Sequence, residues 1–353
     1  MNRQPAPSLP KPRYSTGNSA LDQRIIDLVR ANTTEAELPF VQELAMTALK
    51  LALDGASRVD LKIASAALKE MRHAFRIFTP FRHARKVTVF GSARTATNHS
   101  DHQRAVEFGR RMAEAGWMVI TGAGSGIMGA AHIGAGRKSS FGVNIKLPFE
   151  QEANEIIRGD EKLMTFRYFF TRKLFLMKES HAVALFPGGF GTLDEGFEVL
   201  TLLQTGRQTP LPVVMVENPE TGYFRDLHRF IEVQLLGARL LSEQDLSLYR
   251  VVQSARQASE EILRFYRVYH SSRYVGTKLL IRLERELDDG EIADLSRRFS
   301  DVIRSGGIER AKPLPEELGT SLYALARIEL DFNRRDFGRL RQLIDAINAF
   351  GPR

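Results

Sequence analysis

The sequence predicts an α/β fold in which a doubly wound, mostly parallel sheet of the Rossmann type lies between two layers of helices. Between residues 86 and 268, short apolar runs rich in Val, Ile and Phe alternate with helix-like stretches, as in repeated strand–helix units. Three of these runs end in glycine turns, at Gly91, at 122–129 and at 188–191. Ligands of such sheets bind at the carboxyl ends of the strands. We therefore expect the three turns to lie along one edge and to form one cleft.

Three further segments accompany this central domain. Residues 1–20, rich in Pro and Ser, are expected to form a disordered tail, and residues 21–80 a helical segment. Within the helical segment an apolar stripe has helical spacing, and it consists of Leu61, Leu68, Met71, Phe75 and Phe78. The stripe either covers the main domain or pairs two subunits. Residues 270–353 are expected to form a small α+β appendage, called the C-terminal appendage below.

The predicted elements follow one another in order. In the central domain the predicted strands are 87–90, 117–121, 141–147, 182–186, 211–216 and 249–252. Helices are predicted at 100–115, where Ser100 and Gln103 have capping-box spacing, and after the turn at 122–129. Further helices are predicted at 166–178, from Thr192, at 230–235 and at 258–266. In the C-terminal appendage the pattern predicts a strand at 279–283, a helix at 291–303, a short strand at Ile308, and helices at 321–332 and 338–349.

Composition narrows the class of protein. Among 353 residues, 43% are hydrophobic and 26% charged, which is typical of soluble globular proteins. The absence of cysteine excludes disulfides and thiolate metal sites and suits a cytoplasmic protein. No signal peptide or apolar run of about 20 residues is seen, so we expect no membrane partner. The formal charge of +8 is spread among acidic residues, which favours anionic small molecules over nucleic acid.

The stretch at 181–201 carries the strongest functional signal. Its apolar run leads through a glycine turn into a helix, and such a helix start binds anions through free backbone N–H groups. The anion-binding residues predicted here are Gly188, Gly189, Gly191 and Thr192. Glu195 lies one turn into the helix. It either closes a T-x-x-E capping box with Thr192 or places a carboxylate beside the anion.

The other two glycine turns are predicted to contribute to the same anion site. Gly122, Gly124 and Gly126 have G-x-G-x-G spacing, which departs from the dinucleotide fingerprint, and no Gly-Lys-Ser/Thr sequence indicates a Walker A loop. This turn either packs a helix against a strand or binds a phosphate, and we favour the phosphate. The further residues predicted to bind substrate at these two turns are Gly91, Ser92, Ser125 and Met128.

Two basic residues lie on the predicted helix that precedes the strand at 182–186. Arg172 and Lys173 either form a solvated face or reach an anion at the same sheet edge, where an arginine binds in a bidentate manner. Histidines are few and scattered, without the spacing of metal ligands, so no metal site is predicted.

The chain resembles the LOG ("Lonely guy") family of cytokinin-activating enzymes, which were once labelled lysine decarboxylases. Residues 187–195, PGGFGTLDE, match the family signature PGGxGTxxE, and Arg172-Lys173 match its Arg-Lys pair, 15 positions before Pro187. The resemblance covers about residues 86–268. The helical N-terminal segment and the C-terminal appendage have no counterpart in the compact plant-type members.

The resemblance implies a phosphoribohydrolase. Water would cleave the N-glycosidic bond of a nucleoside 5′-monophosphate, of purine or cytokinin type, giving free base and ribose 5-phosphate. Arg172 and Glu195 would be catalytic, and Lys173 and the glycine turns would bind substrate. No cofactor is implied, and a homodimer or larger assembly is expected.

Other classes of function remain open for this fold. One is a non-catalytic carrier of a nucleotide or of the molybdenum cofactor, and another is a DNA-associated sensor. The presence of both Arg172 and Glu195 argues against a carrier. A pyridoxal-phosphate lysine decarboxylase is rejected, because no sequence context indicates a Schiff-base lysine.

Overall fold

The computed structural model describes residues 14–148 and 152–351. By its internal contacts the chain divides into two units, of which the first ends at Met71 and the second begins at Arg72. Of the tail predicted at 1–20, residues 1–13 lie outside the described part, whereas Ser19 and Ala20 already belong to the first helix.

The first unit is helical, as the sequence predicts. It contains α1 (Ser19–Arg30), α2 (Leu38–Leu53) and most of α3 (Arg58–Phe78). The Asn18 side chain begins α1 by accepting hydrogen bonds from the backbone N–H groups of Ala20 and Leu21, both at 3.1 Å. A small core of Ile25, Val29, Leu38 and Met46 holds α1 against α2.

The end of α3 belongs to the second unit and carries the last part of the predicted apolar stripe. Phe78 is buried, and its ring stacks on those of Phe141 and Phe175 at centroid distances of 4.7 and 6.2 Å. Phe75 contacts the Phe175 ring edge-on at 5.2 Å. These aromatic contacts join the end of α3 to the central sheet and to the helix that carries Phe175.

The central sheet has seven parallel strands in the order β4-β3-β2-β1-β5-β6-β7. The strands are β1 (Lys86–Phe90), β2 (Met118–Thr121), β3 (Ser140–Ile145), β4 (Leu163–Phe166), β5 (Ala182–Leu185), β6 (Val213–Val216) and β7 (Arg250–Val252). The connecting helices are α4 (Ser100–Glu114), α5 (Ile127–Ala135), α6 (Phe169–Lys178), α7 (Phe190–Gln204), α8 (Tyr223–Phe230) and α9 (Ala255–Phe265). The predicted doubly wound fold is confirmed. The sequence analysis missed β4, an edge strand.

Helices cover both faces of this sheet because its strands are apolar on both sides. Val87 and Val89 of β1 share a core with residues of α4, α5 and α9. On the opposite face, the Thr88 hydroxyl donates a hydrogen bond to the backbone oxygen of Leu176 in α6 at 3.0 Å. The strand order reverses between β1 and β5, and this switch point opens a crevice at the carboxyl ends of the strands.

The start of α4 differs from the predicted capping box. His99 is the N-cap, and its ring Nδ1 accepts a hydrogen bond from the Asp101 N–H at 3.1 Å. The Ser100 hydroxyl instead accepts from the Asn218 side chain at 3.0 Å. Ser100 is therefore the first helical residue, and the Ser100–Gln103 capping-box prediction is wrong.

The C-terminal appendage is an antiparallel sheet with two helices, so its α+β character matches the prediction. Its strands, in the order β10-β11-β9-β8, are β8 (Tyr269–Val275), β9 (Lys278–Leu283), β10 (Glu309–Arg310) and β11 (Ala326–Leu330), and its helices are α10 (Asp289–Arg298) and α11 (Phe337–Ala349). The helix predicted at 321–332 is wrong, because Ala326–Leu330 pairs with β9 as a strand. Its buried Ile328 and Leu330 alternate with more polar neighbours.

α11 returns to the end of α9. The Asn348 side-chain oxygen accepts hydrogen bonds from the N–H groups of Val268 and Tyr269 at 2.8 and 2.9 Å, and its amide donates to the Phe265 carbonyl at 2.6 Å. Arg341, also buried in α11, donates to Glu261 of α9 at 2.9 Å. Asn348 thus satisfies backbone groups where the central domain ends, and Arg341 joins the last helix to α9 through an ion pair.

Among the helices of the described residues, none is both long and apolar enough to span a lipid bilayer.

Candidate active site

The three glycine turns meet at the switch point, as the sequence predicts. They follow β1, β2 and β5, which are neighbours in the sheet. The Ser92 N–H donates to the Pro187 carbonyl at 3.1 Å, and the Ile127 N–H donates to the Ser92 carbonyl at 3.0 Å. The Ser125 hydroxyl donates to the Ala93 carbonyl at 2.9 Å. The loop after β1 is therefore bonded to each of the other two turns.

Several glycines of these turns are required by close approach of neighbouring groups. A Cβ on Gly91 would collide with the Ile127 side chain, and one on Gly188 with the Thr192 hydroxyl. Gly189 and Gly191 face open space instead, with no atom within 4 Å of an added Cβ. Gly91 and Gly188 thus allow the turns to pack closely, whereas Gly189 and Gly191 leave room above the helix start.

The turn after β2 is held in a strained conformation by residues that the sequence analysis missed. Ala123 has a φ of +62°, which is unusual for a residue with a side chain. The Asn154 amide donates to the carbonyls of Ala123 and Gly124, both at 3.0 Å, and lies 3.1 Å from His132 Nδ1. Burial lowers the pKa of His132 to about 4, so its ring is neutral at pH 7. No local motif singles out Asn154, because its partners are 22 to 31 positions earlier.

Helix α7 begins two residues before the predicted Thr192. Gly189 is its N-cap, and the Thr192 N–H donates to the Gly189 carbonyl at 3.0 Å. In a capping box the Glu195 side chain would accept from the Thr192 N–H, yet among the described residues no side chain caps this helix. The capping-box interpretation of Glu195 is therefore wrong.

Glu195 is a buried carboxylate, only 5% exposed, on the first turns of α7. Its Oε2 atom is fully buried and has no hydrogen-bond partner among the described residues. Burial raises the pKa of Glu195 to about 7, against the opposing attraction of Lys173 and Arg172. A carboxyl group with a pKa close to neutrality, in a cleft, is typical of catalytic sites.

Arg172 approaches the turn after β2 from α6. Its Nε donates to the Val143 carbonyl at 2.9 Å, which fixes the guanidinium. A Cβ on Gly122 would collide with this guanidinium and with the Met128 sulfur, so both side chains lie over the turn after β2. Burial lowers the pKa of Arg172, although the charge of Glu195 partly offsets that effect.

Lys173 is placed differently from the prediction. Its ammonium forms ion pairs with Asp194 and Glu198, both at 2.6 Å, and lies 3.9 Å from Glu195 Oε2. Burial by itself would lower the pKa of Lys173, but the hydrogen bonds to Asp194 and Glu198 outweigh it and raise that pKa. With three carboxylates around it, Lys173 neutralises acidic residues of α7, and this geometry does not support a role as a phosphate ligand.

Comparisons with known proteins show which family the chain resembles. Residues 126–262 match the model of a family described as "Possible lysine decarboxylase". A probable cytokinin riboside 5′-monophosphate phosphoribohydrolase from Oryza sativa subsp. japonica is 31% identical over 154 residues, which are 42% of this chain and 59% of that protein. A cytokinin riboside 5′-monophosphate phosphoribohydrolase from Arabidopsis thaliana is 29% identical over 152 residues, 42% of this chain and 68% of the relative. The resemblance to the LOG family is confirmed.

Solved structures also align with about half of the chain. The molybdenum cofactor carrier protein from Chlamydomonas reinhardtii is 22% identical, and the alignment covers 51% of this chain and 97% of that one with a TM-score of 0.36. A likeness at this level carries no functional argument.

A cavity of about 520 Å³ adjoins the LOG signature turn. Its lining includes Ser92, His99, Gly188 and Tyr223. The Tyr223 hydroxyl, which the sequence analysis missed, donates to the Gly188 carbonyl at 2.7 Å and so supports the turn from α8. Within the described part of the chain, no cluster of three or more His, Asp or Glu side chains has the arrangement of a metal site.

The close contacts at Gly126, in the turn after β2, lead to a stability prediction. Gly126 has a φ of +61°, and an added Cβ would collide with the Ser92 and Ala93 carbonyls. We expect Gly126→Ala to lower the free energy of unfolding by about 2 to 4 kcal/mol, measured by chemical denaturation. Gly116→Ala is the matched control, because Gly116 also has a positive φ (+80°) but open space around it. Equal losses in the two variants would contradict the proposed contact.

Proposed function

We propose that the chain hydrolyses the N-glycosidic bond of nucleoside 5′-monophosphates, of purine or cytokinin type, releasing the free base and ribose 5-phosphate. The observation that carries the proposal is the buried Glu195 carboxylate, whose Oε2 has no hydrogen-bond partner in the described chain, beside Arg172 where three glycine turns converge. The names of the plant relatives support the same reaction class. Since the match spans only 59% of the rice relative, activity and substrates of the whole chain are part of the proposal.

The start of α7 would bind the 5′-phosphate. Gly189 is the N-cap, so the N–H groups of Phe190 and Gly191 lie in the first turn, where they have no partner inside the helix. The open space at Gly189 and Gly191 admits a bulky oxyanion. A helix start combines such donors with the positive end of the helix dipole, which favours a phosphate.

Glu195 would act at the ribose. Breaking the N-glycosidic bond builds positive charge on the sugar, and an ionised carboxylate nearby stabilises that transition state. Water supplies the hydroxyl group that becomes attached to C1′, and its proton leaves with the base. The burial of Glu195 strengthens the electrostatic effect, because little water screens the charge. Arg172 would orient the substrate and balance the charge of Glu195.

A second copy of the chain would cover the site. Around Arg172, α6 exposes Phe169, Phe170 and Leu174 by 44–58%, and Phe190 in the signature turn is 93% exposed. Large apolar side chains exposed together are typical of interaction surfaces. This arrangement supports the homodimer or larger assembly that the family resemblance implies.

The direct test compares substrates with and without the phosphate. The chain is incubated with a panel of nucleoside 5′-monophosphates and with the matching nucleosides, and the free base is quantified. Two hydrogen bonds to a charged phosphate correspond to a preference of at least about 100-fold in kcat/KM for AMP over adenosine. If kcat/KM were comparable for AMP and adenosine, the proposed phosphate site would be wrong. Binding of nucleotide without release of base would instead favour the non-catalytic carrier.

A further inference from the structure

The second helix of the first unit, α2, has more apolar surface than the described part of the chain covers. Only two of its 16 residues are charged, Glu43 and Lys50. One side of α2 packs against α1 in the small core of the first unit. The other side exposes Phe40 by 69% and Leu44 by 55%. A helix that is apolar around its whole circumference is normally covered on all sides.

The exposed side of α2 carries a stripe with the spacing of a coiled-coil contact. The stripe, called the α2 stripe below, consists of Phe40, Leu44, Thr47 and Leu51, at intervals of four, three and four residues. Thr47 is exposed and Leu51 is half-buried. These intervals place the four residues on one helix face, in alternating d and a positions of a heptad repeat. The α2 stripe is therefore a face to which another helix can pack.

The spacing of the α2 stripe is the same in both chain directions, which suits a second copy of the same helix. In an antiparallel pair, each a residue lies opposite a d residue of the other helix. Leu44 of one copy would then meet Thr47 of the other, and Phe40 would meet Leu51. The same four residues would thus serve both partners, as a two-fold symmetric interface requires.

The two charged residues of α2 favour the antiparallel orientation. Glu43 and Lys50 are seven residues apart on the same flank of the α2 stripe, in the g positions of the repeat. In an antiparallel pair the g positions of the two helices face each other, so Glu43 of each copy would lie beside Lys50 of the other. A parallel pair would place Glu43 beside the uncharged Ala48 instead. Glu43 is exposed, and the Lys50 ammonium donates to the uncharged Ser15 carbonyl at 3.1 Å.

From the exposed apolar stripe, its symmetric spacing and its flanking charges, we propose that α2 pairs in an antiparallel manner with α2 of a second copy of the chain. This contact is separate from the α6 surface that is expected to cover the active site. Two different two-fold interfaces on one chain join dimers into larger assemblies. A pair of 16-residue helices is a small interface, so the association should depend on protein concentration.

The test is the mass of the full chain in solution, measured by light scattering at up to about 100 µM protein. We expect Leu44→Arg to lower this mass to about half, because it places a charge in the middle of an apolar contact. The same halving is expected with or without pairing through α6, so the result does not depend on the α6 surface. Leu28→Arg is the matched control, since Leu28 is 68% exposed on α1, outside the α2 stripe.

An exchange of charges tests the antiparallel orientation. Glu43→Lys alone, or Lys50→Glu alone, would bring like charges together and should weaken the association by about tenfold. The double variant Glu43→Lys/Lys50→Glu restores opposite charges and should recover the mass of the wild type. Recovery cannot arise within one helix, where seven residues separate the two positions by about 10 Å. Unchanged mass of Leu44→Arg, or a double variant that does not recover, would overturn the proposal.

Discussion

Glu195→Gln is expected to fold and to release base from nucleoside 5′-monophosphates about 100 to 1,000 times more slowly than the wild-type chain. Glutamine keeps the shape and the polarity of the side chain but has no negative charge for the sugar cation. Because no side chain caps α7, the substitution removes no structural hydrogen bond from the helix start. The measurement is kcat with saturating AMP at pH 8, where most of the wild-type carboxyl group is ionised.

Glu198→Gln provides the matched control. Glu198 lies on the same helix, shares the ion pair with Lys173, and is more exposed than Glu195. We expect this variant to keep turnover close to that of the wild type, because its carboxylate has no proposed contact with substrate. If Glu195→Gln also kept wild-type turnover, the catalytic assignment would be wrong even though the family resemblance holds.

Glu195→Gln should also change how the stability of the folded chain depends on pH. A carboxyl group whose pKa rises on folding, from 4.5 to about 7 here, destabilises the folded chain once it ionises. The cost is absent below pH 4.5, grows between pH 4.5 and 7, and is complete above pH 7. At about 1.4 kcal/mol per pKa unit, Glu195→Gln should exceed the wild type in unfolding free energy by up to about 3 kcal/mol at pH 8. Identical stability of the two chains at pH 5 and pH 8 would show that Glu195 is not held in an unfavourable environment.

Arg172→Ala is expected to lower kcat/KM for AMP about ten- to hundredfold, the effect of losing a charged hydrogen-bond donor. The charge of Arg172 also lowers the pKa of Glu195, so its removal should move ionisation of Glu195 to higher pH. The loss of activity should therefore be greater at pH 7 than at pH 9. Lys178→Ala on the same helix is the control, because its ammonium pairs with Glu179 away from the cleft.

Combining the two substitutions tests whether Arg172 and Glu195 work as one unit. If they do, the double variant Arg172→Ala/Glu195→Gln should lose less than the product of the two single effects. A loss equal to that product would mean that the two residues act independently, which the proposed charge balance does not allow.

The central fold was predictable because six of its seven strands lie in apolar runs, and glycine turns follow three of these runs. The prediction fails where the local pattern is weak or favours another element. Leu163–Phe166 is short, lies at the sheet edge and has an exposed Thr165, so neither signal marks it. Ala326–Leu330 consists largely of residues that favour helices, but pairing with β9 and burial of Ile328 outweigh local preference.

The candidate site shows the same limit at the level of single residues. Arg172, Glu195 and the glycines are visible because they occur in a dense local pattern. The T-x-x-E spacing at Thr192 was ambiguous, since sequence does not reveal that Gly189 begins the helix two residues earlier. Asn154 and Tyr223 reach the turns from other elements, and such long-range contacts leave no mark in local spacing.

The bonds from Asn348 to the end of α9 bear on how such a protein can be shortened or recombined. α9 belongs to the core of the central sheet through Ala258 and Ile262, but its last turn relies on a side chain more than 80 positions later. A chain ending near residue 270 would leave the Phe265 carbonyl and the Val268 N–H without these partners and would uncover their apolar surroundings. A chimaera that exchanges the catalytic domain between relatives would therefore have to include α11, because α11 supplies hydrogen-bond partners to the end of that domain.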